Sequence, residues 1–268
     1  MPFSLVFTEG AGDSSLLSGA LQKIGFEQCK SIDEIPESVS SYFPRQFPSD
    51  GSKLHRVNSY PEVLRRGDFF VAVIICGGIG NLSAALNNSF LLMRGEVPKD
   101  LFIFVDADDV DVQARFIEIS NILRDSFVLP LETRENFFGV DLPDEVAEIK
   151  HGAINTGIFV WPGGGEVGTL EKVLLEGLER EFPEVREETD KVPEKILELL
   201  TEGHPVERAL RRGFNIDKAK VDLSAGIICP GTNLNVFLST KAKDCEQFFE
   251  APLLVRLQGF LLSAFPVE

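Results

Sequence analysis

Four times along this chain an unbroken apolar run gives way to a turn rich in glycine or acid, and then to a segment of helical period. The runs are Phe3 to Thr8, Phe69 to Ile75, Leu101 to Val105 and Ile154 to Trp161. They are too short to span a membrane, and they are continuous rather than alternating, which is how strands buried on both faces read. Parallel neighbours need long crossovers. The segments to about Ile24, Leu82 to Met93, Val110 to Arg124 and Thr169 to Glu181 supply helices for them. The pattern predicts an α/β fold: a mostly parallel sheet with helices on both faces. Ligands of such sheets sit beyond the carboxyl ends of the strands, and the four turns located there hold nearly every unusual residue of the chain.

Two of those turns are acidic: Glu9-Gly10-Ala11-Gly12-Asp13 and Asp106-Ala107-Asp108-Asp109. Carboxylates brought together at neighbouring strand ends repel one another, and a hard divalent cation with oxygen ligands is the simplest group to sit between them. Asp109 and Asp111 read instead as cap and first-turn acid of the following helix, where they complement its dipole. Gly77-Gly78-Ile79-Gly80 precedes a helix and reads either as a cradle of backbone amides for an anion or as a tight turn. It lacks the Lys-Ser/Thr end of a P-loop and the full dinucleotide fingerprint. Lys218 and Lys220 would share a face if they lay on a strand. There they would stabilise charge on a phosphate; otherwise they are a basic surface pair.

On these residues the chain resembles the Toprim domain, the metal-dependent module of primases, topoisomerases and several nucleases. The resemblance rests on a Glu after the first strand, Glu9, and on an Asp-x-Asp after a later one, Asp106 and Asp108. Asp13 is similar to an acid of the overcoming-lysogenization-defect nuclease branch. The run Gly157 to Pro162, then Gly168-Thr169-Leu170-Glu171, then Lys218-Ala219-Lys220 is similar to a stand-alone Toprim-like family of uncharacterised proteins. The resemblance implies a Toprim-like, Rossmann-like sheet. It implies Mg²⁺ or Mn²⁺ held by Glu9, Asp13, Asp106, Asp108 and Glu171, with Glu9, Lys218 and Lys220 in catalytic positions. Gly77, Gly78 and Gly80 are the candidate phosphate or nucleotide contacts.

Charge bears on the substrate. The chain of 268 residues carries a net charge of −16. Such a balance disfavours non-specific binding to nucleic acid, which needs Lys and Arg facing phosphates. Residues 166 to 202 hold twelve acids and five bases and read as a solvated pair of helices. Between His204 and Lys220 the balance reverses, through Arg208, Arg211, Arg212, Lys218 and Lys220. Cys29, Cys76, Cys229 and Cys245 form no Cys-x-x-Cys pair, and the three histidines sit at no zinc-ligand spacing. No Ser-His-Asp or Cys-His arrangement stands out. The N-terminal residues lack the basic and apolar regions of a signal peptide, and the reading is a cytoplasmic protein with no membrane partner.

Residues 26 to 66 are mixed, with a short helix expected around Ile35 to Phe43; residues 126 to 153 have no clean period. A closing helix is expected between about Asp244 and Phe265, with Pro252 near its start. Residues 1–182 form the expected α/β core, and 183–268 a helical or mixed extension packed upon it. The expected activity is Mg²⁺- or Mn²⁺-dependent phosphoryl transfer such as phosphodiester hydrolysis, on short or single-stranded nucleic acid or a nucleotide. The alternatives are a non-catalytic nucleotide- or protein-binding scaffold and a hydrolase of small phosphates.

Overall fold

The structure is a computed structural model. It describes residues 2–40, 43, 61–92, 97–126, 141–163, 167–199 and 215–266. The expected basic residues Arg208, Arg211 and Arg212 lie outside these, as do His55, His204 and part of the turn after Trp161.

The four apolar runs are strands of one sheet: β1 (Phe3–Thr8), β4 (Phe69–Ile75), β5 (Asp100–Asp106) and β7 (Asn155–Trp161). Three further strands, β2 (Glu27–Gln28), β3 (Glu62–Arg66) and β6 (Ile149–Lys150), complete a seven-stranded sheet of order β2-β3-β4-β1-β5-β7-β6. Its centre, β4-β1-β5-β7, is parallel throughout, and β2, β3 and β6 pair antiparallel at the margins. The fold is thus mixed α/β around a mostly parallel sheet.

Side chains of each strand alternate between two cores. Phe3, Leu5, Phe7, Ala72, Ile103 and Val105 face α2 (Leu82–Leu92) and α3 (Val112–Ser126). Val6, Val73, Phe102, Phe104, Phe159 and Trp161 face α1 (Ala11–Lys23) and α4 (Leu170–Glu181). Helices therefore cover both faces of the strands, as their continuous apolar sequence requires. The expected helix near Ile35 is a single turn, Glu37–Ser40. Among the described residues no helix is long and apolar enough to cross a membrane.

Described residues beyond 182 close the second face. Helices α5 (Pro183–Leu199) and α6 (Ile216–Ile228) pack together through Thr189 and Ser224, whose hydroxyls lie 2.9 Å apart. Then α7 (Pro252–Ala264) begins on its proline, a residue suited to a first helical position. Phe260 of α7 meets Phe102, Phe104 and Phe159 with ring centroids 5.4 to 5.6 Å apart. Gly157 makes the approach possible, since a Cβ there would stand 2.8 Å from Phe260 Cζ. Burying each such ring contributes about 1.5–3 kcal/mol. Segments beyond residue 182 thus share one core with the sheet.

Candidate functional site

The helices that follow β1 and β5 leave toward opposite faces, α1 to one core and α3 to the other. β1 and β5 are hydrogen-bonded neighbours, so a crevice opens beyond their carboxyl ends. Glu9 leaves β1 there, and Asp106 is the last residue of β5. A cavity of about 410 Å³ occupies the place. Its walls are the β1–α1 turn with Glu9 and Asp13, Asp106, the first turn of α4 with Glu171, the α6 residues Lys218 and Asp222, and the segment from Asn233 to Asn235.

Glu9 is fixed from both neighbouring strands. Its backbone carbonyl accepts from the amides of Gly77 (2.9 Å) and Gly78 (3.1 Å), and its carboxylate accepts a long 3.4 Å contact from the Asp106 amide. Gly77 has a φ of 75° and Gly78 a φ of 111°. Both lie in the left-handed region that residues with a side chain avoid, so glycine is required at each. This corrects the reading of Gly77 and Gly78 as an open anion cradle: their amides are engaged by Glu9. Gly80 lies in the one-turn helix that follows, Ile79–Asn81. Burial raises the Glu9 pKa; the amide of Asp106 opposes this and the charge of Asp108 adds to it.

Asp13, at the third position of α1, turns one oxygen back to accept from the Gly10 amide at 2.8 Å. Its Oδ1 is buried and has no hydrogen-bond partner among the described residues. Burial drives its pKa up to about 7, the Gly10 amide opposing and Glu9 reinforcing. The indole of Trp161 is near enough to favour the charged form slightly, yet its Nε1 also ends without a hydrogen bond to any described residue. Both atoms are buried without a well-formed hydrogen bond. Asp106 Oδ1 accepts from the Leu170 amide, the first of α4, at 2.7 Å. Burial drives its pKa up to about 8; repulsion from Asp13, Glu171 and Glu9 adds, and the Leu170 bond opposes. Carboxyls so displaced are common at functional sites and occur in structural networks as well. Next to the cluster, burial and the charges of Glu9 and Asp13 push the Cys76 thiol up to about 12, away from the reactive thiolate.

The structure separates other residues that the sequence groups together. Asp108 takes a left-handed φ of 55°, and its carboxylate turns to Arg115 at 3.1 Å instead of lining the cavity. Its amide donates to Gly168 O at 3.0 Å, tying the β5 turn to the loop before α4. Lys218 and Lys220 lie on helix α6, not on a strand; Asn215 caps it by accepting from the Lys218 amide at 3.0 Å. Two positions along a helix point about 200° apart. Only Lys218 therefore reaches the cavity, where it forms no ion pair with a described residue. Lys220 is held by Glu194 at 2.9 Å and Asp190 at 3.5 Å. Among the described residues no three His, Cys, Asp or Glu side chains are gathered to grip one ion as they stand. Asp106 and Asp13 are each drawn instead to a backbone amide.

Sequence reasoning missed Arg115 and the Asn233–Asn235 wall. Arg115 left a signal: a cation in the first turn of a helix opposes the dipole and calls for a compensating partner, here Asp108 and the carbonyl of Ala107. The asparagines left none, since they reach the site only through the docking of distant segments.

The chain belongs to the family described as "Protein of unknown function (DUF3226)", which matches residues 4–225. Among solved structures it is similar to the crystal structure of a hypothetical protein from Pyrococcus horikoshii OT3. The identity is 16%, the TM-score 0.47, and the match covers 97% of this chain and 100% of that one. No curated protein matches the chain.

Proposed function

We propose that this protein is a Toprim-like phosphoryl-transfer enzyme that works with Mg²⁺ or Mn²⁺ bound among Glu9, Asp13, Asp106 and Glu171. One observation carries the reading: Asp13 Oδ1 is buried and unpaired at the wall of a cavity that Glu9, Asp106, Glu171 and Asp222 also line. A buried acceptor without a well-formed hydrogen bond is unfavourable by about 1–3 kcal/mol, and a hard cation would supply it with a partner. The donors fit such an ion in kind, since all are oxygens. Engaging Asp106 and Glu171 calls for side-chain rotation, because Asp106 now caps α4.

A bound cation would supply charge for a phosphate oxygen and a lowered pKa for an attacking water. The protein's own groups divide the remaining work. The first turns of α1 and α4 flank the cavity and favour negative charge. Lys218, exposed on the cavity wall with no ion pair to a described residue, is the cation placed to meet a phosphate. Glu9, held by the glycine turn, is positioned as ligand or base. Asp108 with Arg115 braces the β5 turn, so its part is positioning. Lys220 takes no part.

The test is Mn²⁺ binding by calorimetry, together with cleavage of labelled single-stranded and duplex oligonucleotides beside Asp106→Asn. Metal binding, with cleavage at least about 100-fold slower in the variant, is expected. Metal binding without cleavage of either substrate would favour a non-catalytic nucleotide-binding scaffold. No metal binding would refute the reading.

A further inference from the structure

We propose that Trp161 is a positioning residue of this site: its indole N–H holds Asp13 Oδ1 in the orientation that ligates a cation. The inference rests on the metal-dependent reading for the cation, and on the chain's own packing for the contact.

Three observations carry it. The first is a complementary pair of needs. Asp13 places one oxygen on the Gly10 amide at 2.8 Å, while the other, Oδ1, is buried without a well-formed hydrogen bond. Trp161 is fully buried, and its Nε1 has the same lack among the described residues. An indole nitrogen only donates and a carboxylate only accepts, and a buried tryptophan N–H ordinarily has a partner. Trp161 faces the core that α1 covers, and its indole favours the charged form of the Asp13 carboxyl. The second is rigidity. Trp161 stands beside Asp106 in the β5–β7 register, and its carbonyl accepts from the Ala107 amide at 3.0 Å. Its ring lies against Phe159 and Phe104, with centroids 4.9 and 6.0 Å away. A donor locked by packing can hold a ligating group to one geometry. The third is residue type and place. The chain has 22 phenylalanines and one tryptophan, and the rings against Trp161 are phenylalanines, so packing alone does not call for an N–H here. Asp13 lines the cavity and Trp161 does not. The indole therefore reaches a bound ion only through Asp13. A carboxylate oxygen has lone pairs for both a cation and a donor behind it, and donors so placed orient the ligating group.

The experiment is NMR of the full chain labelled with nitrogen-15, beside calorimetry. The single tryptophan gives a single indole N–H signal, and the probe is Mg²⁺, a diamagnetic ion that leaves the signal sharp. In EDTA at about pH 8, above the value of about 7 to which Asp13 is raised, the Asp13 carboxyl is mostly ionised. Asp13→Asn should then move the indole signal upfield, because a neutral amide is a weaker acceptor than a carboxylate. Saturating Mg²⁺ should move the wild-type signal along the binding curve that calorimetry gives, and leave that of Asp13→Asn in place. Trp161→Phe keeps an aromatic ring and removes the N–H. It should bind Mg²⁺ about 10–100-fold more weakly, the usual loss when the hydrogen-bond partner of a metal ligand is removed. Should that variant fail to fold, the indole signals of the wild type and Asp13→Asn decide alone. A signal that Asp13→Asn does not move in EDTA overturns the proposal. So does a signal that stays fixed while Mg²⁺ saturates the wild type, or a folded Trp161→Phe with wild-type affinity. Failure of Mg²⁺ to bind refutes the metal reading alone, and the comparison in EDTA then still decides whether the indole holds Asp13.

Discussion

Replacing Asp106 by Asn should stabilise the protein at high pH. In the fold Asp106 keeps its proton up to about pH 8, because of burial first and repulsion from Asp13 second; in the unfolded chain it releases it near 3.8. The folded state therefore binds more protons across this interval. The stability Asp106 contributes is fully present below about pH 4 and is lost as pH rises through about 8. At about 1.36 kcal/mol per pH unit, the interval sets a ceiling of ~6 kcal/mol. Asp13, raised to about 7, titrates together with it. The protonation steps thus belong to the pair, and we assign ~2 kcal/mol to Asp106 alone. Asparagine preserves the shape and an oxygen for the Leu170 amide while removing the charge. Thermal unfolding in EDTA from pH 5 to pH 9 should show Asp106→Asn equal to or below the wild type at pH 5. At pH 9 it should melt about 4–8 °C higher, given roughly 2–4 °C per kcal/mol at this size. Comparing the two proteins cancels the groups that titrate independently of Asp106. A difference that does not change with pH, or one that grows in favour of the wild type as pH rises, would refute the assignment.

Millimolar Mn²⁺ should raise the melting temperature of the wild type, since a ligand of the folded state alone adds stability with occupancy. The double change Asp13→Asn with Asp106→Asn should abolish the rise, while Asp108→Asn, whose carboxylate faces Arg115, should keep it. Gly19→Ala places a Cβ against the Leu238 carbonyl oxygen. It should lower stability by ~1–3 kcal/mol in urea unfolding, because backbone cannot yield as a side chain does. Phe260→Ala should lower it by ~3–5 kcal/mol, the usual loss for a phenyl ring buried among other rings.

What the sequence made legible follows from what is local. Central strands declared themselves because both faces are buried, so their apolar runs are unbroken. The margins did not: Glu27–Gln28 and Ile149–Lys150 are two residues each, too short for any period. Glu9, Asp13, Asp106 and Glu171 were legible as one group because strand ends of a parallel sheet lie at one edge. Asp108 turns from the cavity to Arg115, although its charge still reaches Glu9, because its left-handed backbone is set by a bridge to Gly168, 60 positions away in sequence. Lys218 and Lys220 were ambiguous because Lys-Ala-Lys-Val alternates as a strand would, and the Asn215 cap decided for helix. The glycine turn stayed open between cradle and tight turn because the acceptor for its amides, the Glu9 carbonyl, follows another strand.

The glycine-lined seat of the C-terminal helix sets how this molecule could be divided or recombined. The family-matched stretch stops inside α6. A fragment ending there would lose Phe237, Phe248, Leu257, Phe260 and Phe265, and would bare Phe102, Phe104 and Phe159 across one side of the sheet. Apolar area on that scale drives aggregation in a monomer. The smallest piece that could be transplanted into another chain with its cavity intact therefore extends at least from Phe3 to Phe265. The acidic strand ends and the Asn233–Asn235 wall of the cavity would have to move together.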